Sequence, residues 1–278
     1  MCCHCIFSFR TETPSGISGW GFFFHHFPLI NQEKHLDFCK HICYNKQKDV
    51  TTLKSKIKLS QDCLKIIACI TMLIDHIGAI LFPKIIILRI IGRIAFPIYC
   101  FLLTEGYYHT KNKRKYFLRL IIGAIISEYI YDLVIFNQNT WRAQSVMVTL
   151  TLGFNMLHTL ETLRQKHNVT KTWQKICIII IFAIANEFLN GDYGIYGIIL
   201  IAIFATTQCQ NQKFIKITIC TGILSILHSP TQIFAILSVP IIKLYNNKKT
   251  NHKKLVQIGF YLFYPVHLII LHMISHVI

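Results

Sequence analysis

From Cys63 onward the chain is a succession of long apolar runs broken by short polar connections. The runs cover 63–82, 85–105, 117–136, 145–160, 175–189, 193–207, 214–228, 231–245 and 256–276. Each reads as a helix, because only helices and closed barrels satisfy their backbone polar groups in lipid, and the strict alternation of a barrel strand is absent. Several runs are shorter than the ~20 residues of a full span, and 175–189 and 214–228 are the most marginal. The pattern predicts an all-α, polytopic transmembrane bundle of about nine spans, within a range of about eight to ten.

The connections carry a second pattern. Segments 46–58, 106–116, 161–175, 208–216 and 243–254 hold five, four, four, two and five Lys/Arg, whereas the alternate connections hold only Lys84 and Arg142. Cytoplasmic loops collect Lys and Arg, so this alternation fits nine spans and predicts a cytosolic N-terminus and an external C-terminus. Residues 1–56 differ in character: they are rich in Cys, His, Phe and Lys, without periodicity. They read as a tail of unknown role on the cytosolic side, or as upstream sequence translated from a misassigned start codon. The domain proper is expected over 57–278.

Composition agrees with a bilayer as the solvent. The chain is 53% hydrophobic and 15% charged, against about a quarter charged in soluble domains. The net charge of +17 belongs first to the cytoplasmic loops, and no nucleic-acid-binding motif accompanies it, so no nucleic-acid partner is expected. The eleven cysteines form no disulfide framework. A zinc site from Cys5, Cys39, His41 and Cys43 is conceivable, but the C-x₂-C knuckle spacing is missing and no metal is expected.

Ionisable residues inside the apolar runs are the informative exceptions, because each costs ~2.5–3.5 kcal/mol at a helix centre on insertion scales. They are Asp75 and His76 in the first span, Arg89 and Arg93 in the second, Glu128 and Asp132 in the third, Glu187 in the fifth and His267 in the ninth. Most fall in the outer half of the membrane, with His267 deeper. Arg89/Arg93 and Glu128/Asp132 are i,i+4 pairs, each on one helix face. Two cations opposite two anions at one depth suggest a buried ion-pair cluster, either a plain helix clamp or the wall of a hydrated cavity. Pro97 and Pro265 are expected to break the second and ninth spans beside Tyr264 and His267. Asp192, Tyr193 and Gly194 are expected to form an outer turn that caps the cavity. Lys65 and His76 are eleven residues apart. Eleven residues make three turns plus ~20°, so both lie on one helix face, ~16 Å apart along the axis. A phosphate-bearing carrier held at Lys65 could therefore extend a thin arm to His76.

The segments LKIIACITMLIDHIGAILFP (64–83), LRIIGRIAFPIYCFLLTEGYYHT (88–110) and RLIIGAIISEYIYDL (119–133) resemble TraX proteins, as do DYGIYGIILI (192–201) and FYLFYPVHLIIL (260–271). The resemblance covers about 57–276, in order; residues 1–56 lie outside it. It implies a multi-pass protein of the bacterial cytoplasmic membrane. It also implies kinship with a wider set of acyltransferase-3-like membrane enzymes, which carry acyl groups from cytosolic coenzyme A thioesters to acceptors across the membrane. That set has a basic residue, ten intervening residues and a His on its first helix; Lys65 and His76 match the spacing, although Arg is usual at the first position.

The resemblance thus implies acetyl-CoA or a similar acyl-CoA as donor, bound at Lys65, and His76 as catalytic base, with Asp75 orienting it or balancing charge. Arg93, with Arg89 behind it, would stabilise the oxyanion. A covalent acyl-His intermediate is the alternative route. Arg89, Glu128, Asp132, Tyr264 and His267 are the expected substrate contacts. The acceptor is an amine or hydroxyl on a pilin-like peptide or an envelope glycan. Two other classes compete: a secondary transporter with a buried charged pathway, against which the absence of an internal repeat counts, and a non-catalytic assembly factor.

Overall fold

The computed structural model describes residues 58–136, 144–167, 171–206, 218–219, 222, 229–246 and 254–277. All fall in the second of the two units into which the chain divides, Ile57–Ile278. The tail 1–56, the Cys/His set at Cys5, Cys39, His41 and Cys43, and nearly all of run 214–228 lie outside the described residues.

Among the described residues every extended element is helical. They are α1 (Gln61–Ile80), α2 (Ile86–Gly92), α3 (Ala95–His109), α4 (Lys113–Phe136), α5 (Val146–His167), α6 (Thr172–Phe188), α7 (Gly194–Thr206), a 3₁₀ helix (Pro230–Leu237), α8 (Ser238–Lys243) and α9 (Lys254–Ser275). Three stretches are long and apolar enough to cross a membrane: Gln61–Ile80, Ile86–His109 and Ile258–Ser275. Gly194–Ala205 and Pro230–Lys243 are shorter apolar helices.

The outward faces explain why the chain needs lipid. On α4, Leu118, Ile122, Ile125, Tyr129 and Leu133 are all exposed, and they recur every three or four residues as one stripe. Trp173, Ile176, Ile180 and Ile184 make the same stripe on α6, and Ile258, Leu262, Val266, Ile270 and Met273 on α9. Water-soluble monomers rarely expose contiguous apolar patches of this extent. The inward faces bury Leu64, Ala68 and Met72 of α1, Phe96, Ile98 and Tyr107 of α3, Phe154 and Leu157 of α5, Ile198 and Ile201 of α7, and Leu268 of α9 as one continuous core.

Two run-level expectations need correction. The second run divides at Arg93–Ile94, four residues before Pro97. Pro97 has no N–H to offer the Arg93 carbonyl, so the ladder fails one turn upstream of the ring. In the ninth run, by contrast, Pro265 sits within a continuous α9; the helix tolerates the lost bond and does not break. The 231–245 run forms two short pieces, a 3₁₀ helix and α8, rather than a single α-helix.

Short connections bring the polar residues together. The turn 81–85 folds α2 back on α1, and α1 also packs on α3 and α9. Ser60 caps α1 by accepting from the Cys63 N–H at 3.3 Å. At the other end of the bundle, Gln144 is tied to the 190–192 turn: its N–H donates to the Asn190 carbonyl at 2.8 Å, and its carbonyl accepts from the Asp192 N–H at 3.1 Å. Gly194 has φ +45°, and a Cβ there would lie 2.5 Å from Glu187 Oε2, so this turn admits only glycine without strain.

Candidate active site

Asp75 is the hub of a half-buried set of charges. Its Oδ2 accepts from Arg89 Nη1 at 2.7 Å, and its Oδ1 accepts from Arg93 Nη2 at 2.9 Å. Arg89 Nη1 also donates to the Asp75 carbonyl at 3.2 Å, and Arg93 Nε to the Arg89 carbonyl at 3.3 Å. Gln232 of the 3₁₀ helix accepts from Arg93 Nη1 at 3.5 Å. The arrangement depends on Gly92: a Cβ there would stand 2.1 Å from Asp75 Oδ1. Gly92→Ala is therefore expected to push the carboxylate off its arginines and destabilise the protein by ~1–3 kcal/mol, read as a lower midpoint of thermal unfolding in detergent.

This corrects the expected pairing. Neither arginine meets Glu128 or Asp132; both meet Asp75. The reason is packing order. α2 packs on α1 and the 3₁₀ helix, whereas α4 packs on α5 and α9. Glu128 instead accepts from the Ser145 N–H at 2.8 Å, a carboxylate at the N-terminus of α5. Asp132 is buried one turn further along α4. No hydrogen bond joins Asp75 to His76; both Asp75 oxygens accept from the arginines, and Arg93 gives its Nη2 to that carboxylate. Glu187 lies on the exposed side of α6, where it accepts from the Ile195 N–H at 3.2 Å.

The partner of His76 is His267. His76 Nδ1 and His267 Nε2 are 2.8 Å apart, and the ring centroids 4.9 Å. Tyr264 packs edge-on against both rings, with centroids 5.7 Å from each. The expected depth difference between the two histidines is absent. α9 lies directly on α1, which sets both imidazoles at one level.

Two cavities meet here. The larger, of about 330 Å³, runs from Gln61 and Lys65 at one end, past Cys69, to Met72 and Tyr264. Tyr116, Arg119, His109 and Phe260 line it as well. The smaller, of about 30 Å³, holds Asp75, His76, Gly92, Phe96, Asp192 and Tyr193. Met72, Tyr99, Val146 and Tyr264 line both. Lys65 and His76 thus stand in two adjoining cavities along a face of α1, Lys65 in the larger and His76 in the smaller. Lys65 pairs with Asp62 at 3.7 Å and lies 5.2 Å from the Phe260 ring centre. The 192–194 turn does border the small cavity: Tyr193 stacks on Phe96 at 3.5 Å, with ring planes 2° apart.

Sequence reading missed several of these residues. Arg119 stands at the same end of the large cavity as Lys65, with its guanidinium 5.7 Å and 5.9 Å from the Tyr116 and Tyr261 ring centres. It lies two residues inside the start of the third run, 117–136, and drew no notice there. Tyr99 donates to Cys69 Sγ at 3.4 Å in the cavity wall. Gln232 carries no signal in sequence, because nothing in its local spacing ties it to Arg93.

Helices with lipid-type outer faces, a half-buried Asp–Arg–Arg triad and a histidine pair beside a cavity define a membrane protein built around a polar site. The family model described as TraX protein matches residues 60–275, and the chain belongs to the TraX family. A probable fimbrial assembly protein FimC, serogroup H1, of Dichelobacter nodosus is 30% identical over 242 residues, covering 79% of this chain and 97% of the relative. A Rickettsia prowazekii (strain Madrid E) protein named only as uncharacterized is 30% identical over 172 residues, covering 61% of this chain and 64% of its own length. No solved structure matches.

Proposed function

We propose that the protein is a multi-pass acyltransferase of the bacterial cytoplasmic membrane. It takes an acyl group, by preference acetyl, from a coenzyme A thioester and passes it to an amine or hydroxyl across the bilayer. The observation that carries the reading is the continuity of the large cavity, from the cationic Lys65/Arg119 end to the wall it shares with the His76 pocket. Lys65 and Arg119 offer charge to the donor's phosphates at the cytosolic side, and the ~16 Å of helix between Lys65 and His76 suits a pantetheine arm.

At the far end the acceptor atom attacks the thioester carbonyl while a neutral imidazole, His76, takes its proton. The carbon–sulfur bond then breaks, and the departing thiolate recovers that proton. Asp75 keeps Arg89 and Arg93 in place as a fixed positive wall. Tyr264, which borders both cavities beside His76, is the donor we assign to the oxyanion. The fimbrial name of the Dichelobacter relative favours a pilin-type peptide as acceptor, with an envelope glycan as the second choice.

The test is label transfer from radioactive acetyl-CoA to pilin peptide or envelope extract by protein in nanodiscs. No transfer to any acceptor by the wild type would end the enzyme reading, and ion-coupled uptake without coenzyme would replace it with a transporter. Lys65→Ala and Arg119→Ala are expected to raise KM for the donor about tenfold each with kcat nearly unchanged, as loss of a contact held equally in ground and transition states requires. A fall in kcat at constant KM would move both residues out of the donor site.

A further inference from the structure

We infer that His267 is a positioning residue: it holds His76 in the Nδ1–H tautomer, leaving His76 Nε2 as the basic nitrogen. The inference deepens the acyl-transfer reading and rests on it for its kinetic consequence only.

The argument is a count of protons. His267 Nδ1 lies 2.6 Å from the Phe263 carbonyl oxygen. A carbonyl only accepts, so His267 Nδ1 carries a proton. In a neutral ring its Nε2 is then a lone pair, and a lone pair 2.8 Å from His76 Nδ1 needs the proton on His76. His76 therefore donates through Nδ1, and its second nitrogen, Nε2, has no proton. Both rings are taken as neutral because neither has a carboxylate partner among the described residues, and a buried charge without one is costly. His267 is only 4% exposed, and Phe263 stacks on it at 4.9 Å and 24°, which fixes the ring plane.

The consequence runs along the chain of bonds. The hydrogen bond made by one ring nitrogen decides which nitrogen of the next ring is the base. The carbonyl of Phe263 sets His267, and His267 acts on His76 together with the Met72 backbone, which also hydrogen-bonds the His76 ring. Free imidazole side chains prefer the opposite tautomer, with the proton on Nε2. Without His267, His76 would revert to that form and turn its lone pair toward α9, away from an acceptor.

The experiment reads tautomers directly. Protein labelled with ¹⁵N-histidine is studied in nanodiscs, and His76 is assigned by the signal lost in His76→Gln. The wild type is expected to show His76 protonated at Nδ1 and unprotonated at Nε2. In His267→Leu the proton is expected to move to Nε2. In His267→Gln, whose side-chain oxygen stands near the former Nε2, it is expected to stay on Nδ1. In the transfer assay, His267→Leu should lower kcat about a hundredfold with KM for the donor unchanged, and His267→Gln should recover most of the loss.

A wild-type His76 carrying its proton on Nε2, or a tautomer indifferent to His267→Leu, overturns the inference even if transfer is observed. The expected spectra without any transfer leave it standing and remove the acyltransferase reading instead. Because the wild-type spectrum alone decides the tautomer, a poorly folding variant does not protect the idea.

Discussion

His76→Ala is expected to lower kcat for acyl transfer by a factor on the order of 10²–10⁴, the usual worth of a positioned general base. KM for the acyl donor should barely move, because Lys65 and Arg119, the charges proposed to hold the donor's phosphates, stand at the opposite end of the large cavity from the His76 pocket. Initial rates with labelled acetyl-CoA, at saturating and limiting donor, separate the two constants. A kcat within a few-fold of wild type would take His76 out of the chemistry, whatever the identity of the acceptor.

The largest effect on stability is expected from Asp75→Ala. Its carboxylate is the shared partner of Arg89 and Arg93, and the Asp75 and Arg93 side chains are each 14% exposed. Removing one member of a fully buried ion pair costs ~3–5 kcal/mol; the Arg89 side chain is 36% exposed, so the loss here is expected below that range. The midpoint of thermal unfolding in detergent should fall accordingly. Replacing Arg93 by Leu in the Asp75→Ala background should restore part of the loss, since one of the two orphaned charges is then gone. An Asp75→Ala midpoint close to wild type would mean that the triad is hydrated and that the guanidinium groups find water when the carboxylate is removed.

Much of this was legible in sequence. Every apolar run with described residues holds helix, because a chain in lipid has no other way to satisfy its backbone without forming a barrel, but α3, α4, α5 and α6 extend into stretches read as connections, to 109, from 113, to 167 and from 172. The rarity of charge in those runs singled out Asp75, His76, Arg89, Arg93, Glu128, Asp132, Glu187 and His267, since each is costly to keep there; of these Glu187 is exposed and, among the described residues, serves only the backbone N–H of Ile195. The eleven-residue spacing put Lys65 and His76 on one face of α1, and both line the linked cavities. The DHIG, RIIGRIAFP and FYPVHL strings carried the TraX resemblance, and the family match confirms it.

Partnership was not legible. Two i,i+4 cations and two i,i+4 anions looked like a matched set, yet both cations went to Asp75 and Glu128 went to the start of α5. Spacing along a helix says which residues share a face, but the face's neighbour depends on helix order in three dimensions. The short 81–85 turn and the missing side chain of Gly92 let α2 close on α1, and that closeness chose Asp75. The same holds for Arg119, Gln232 and the meeting of His76 with His267 across 191 residues. By itself, then, the sequence determined helices, an apolar exterior and a short set of expensive polar residues, because these follow from each residue's own cost in lipid. Only the tertiary structure decided which of them touch, because a hydrogen bond needs two groups within about 3 Å, and the packing of one helix on another alone sets that distance.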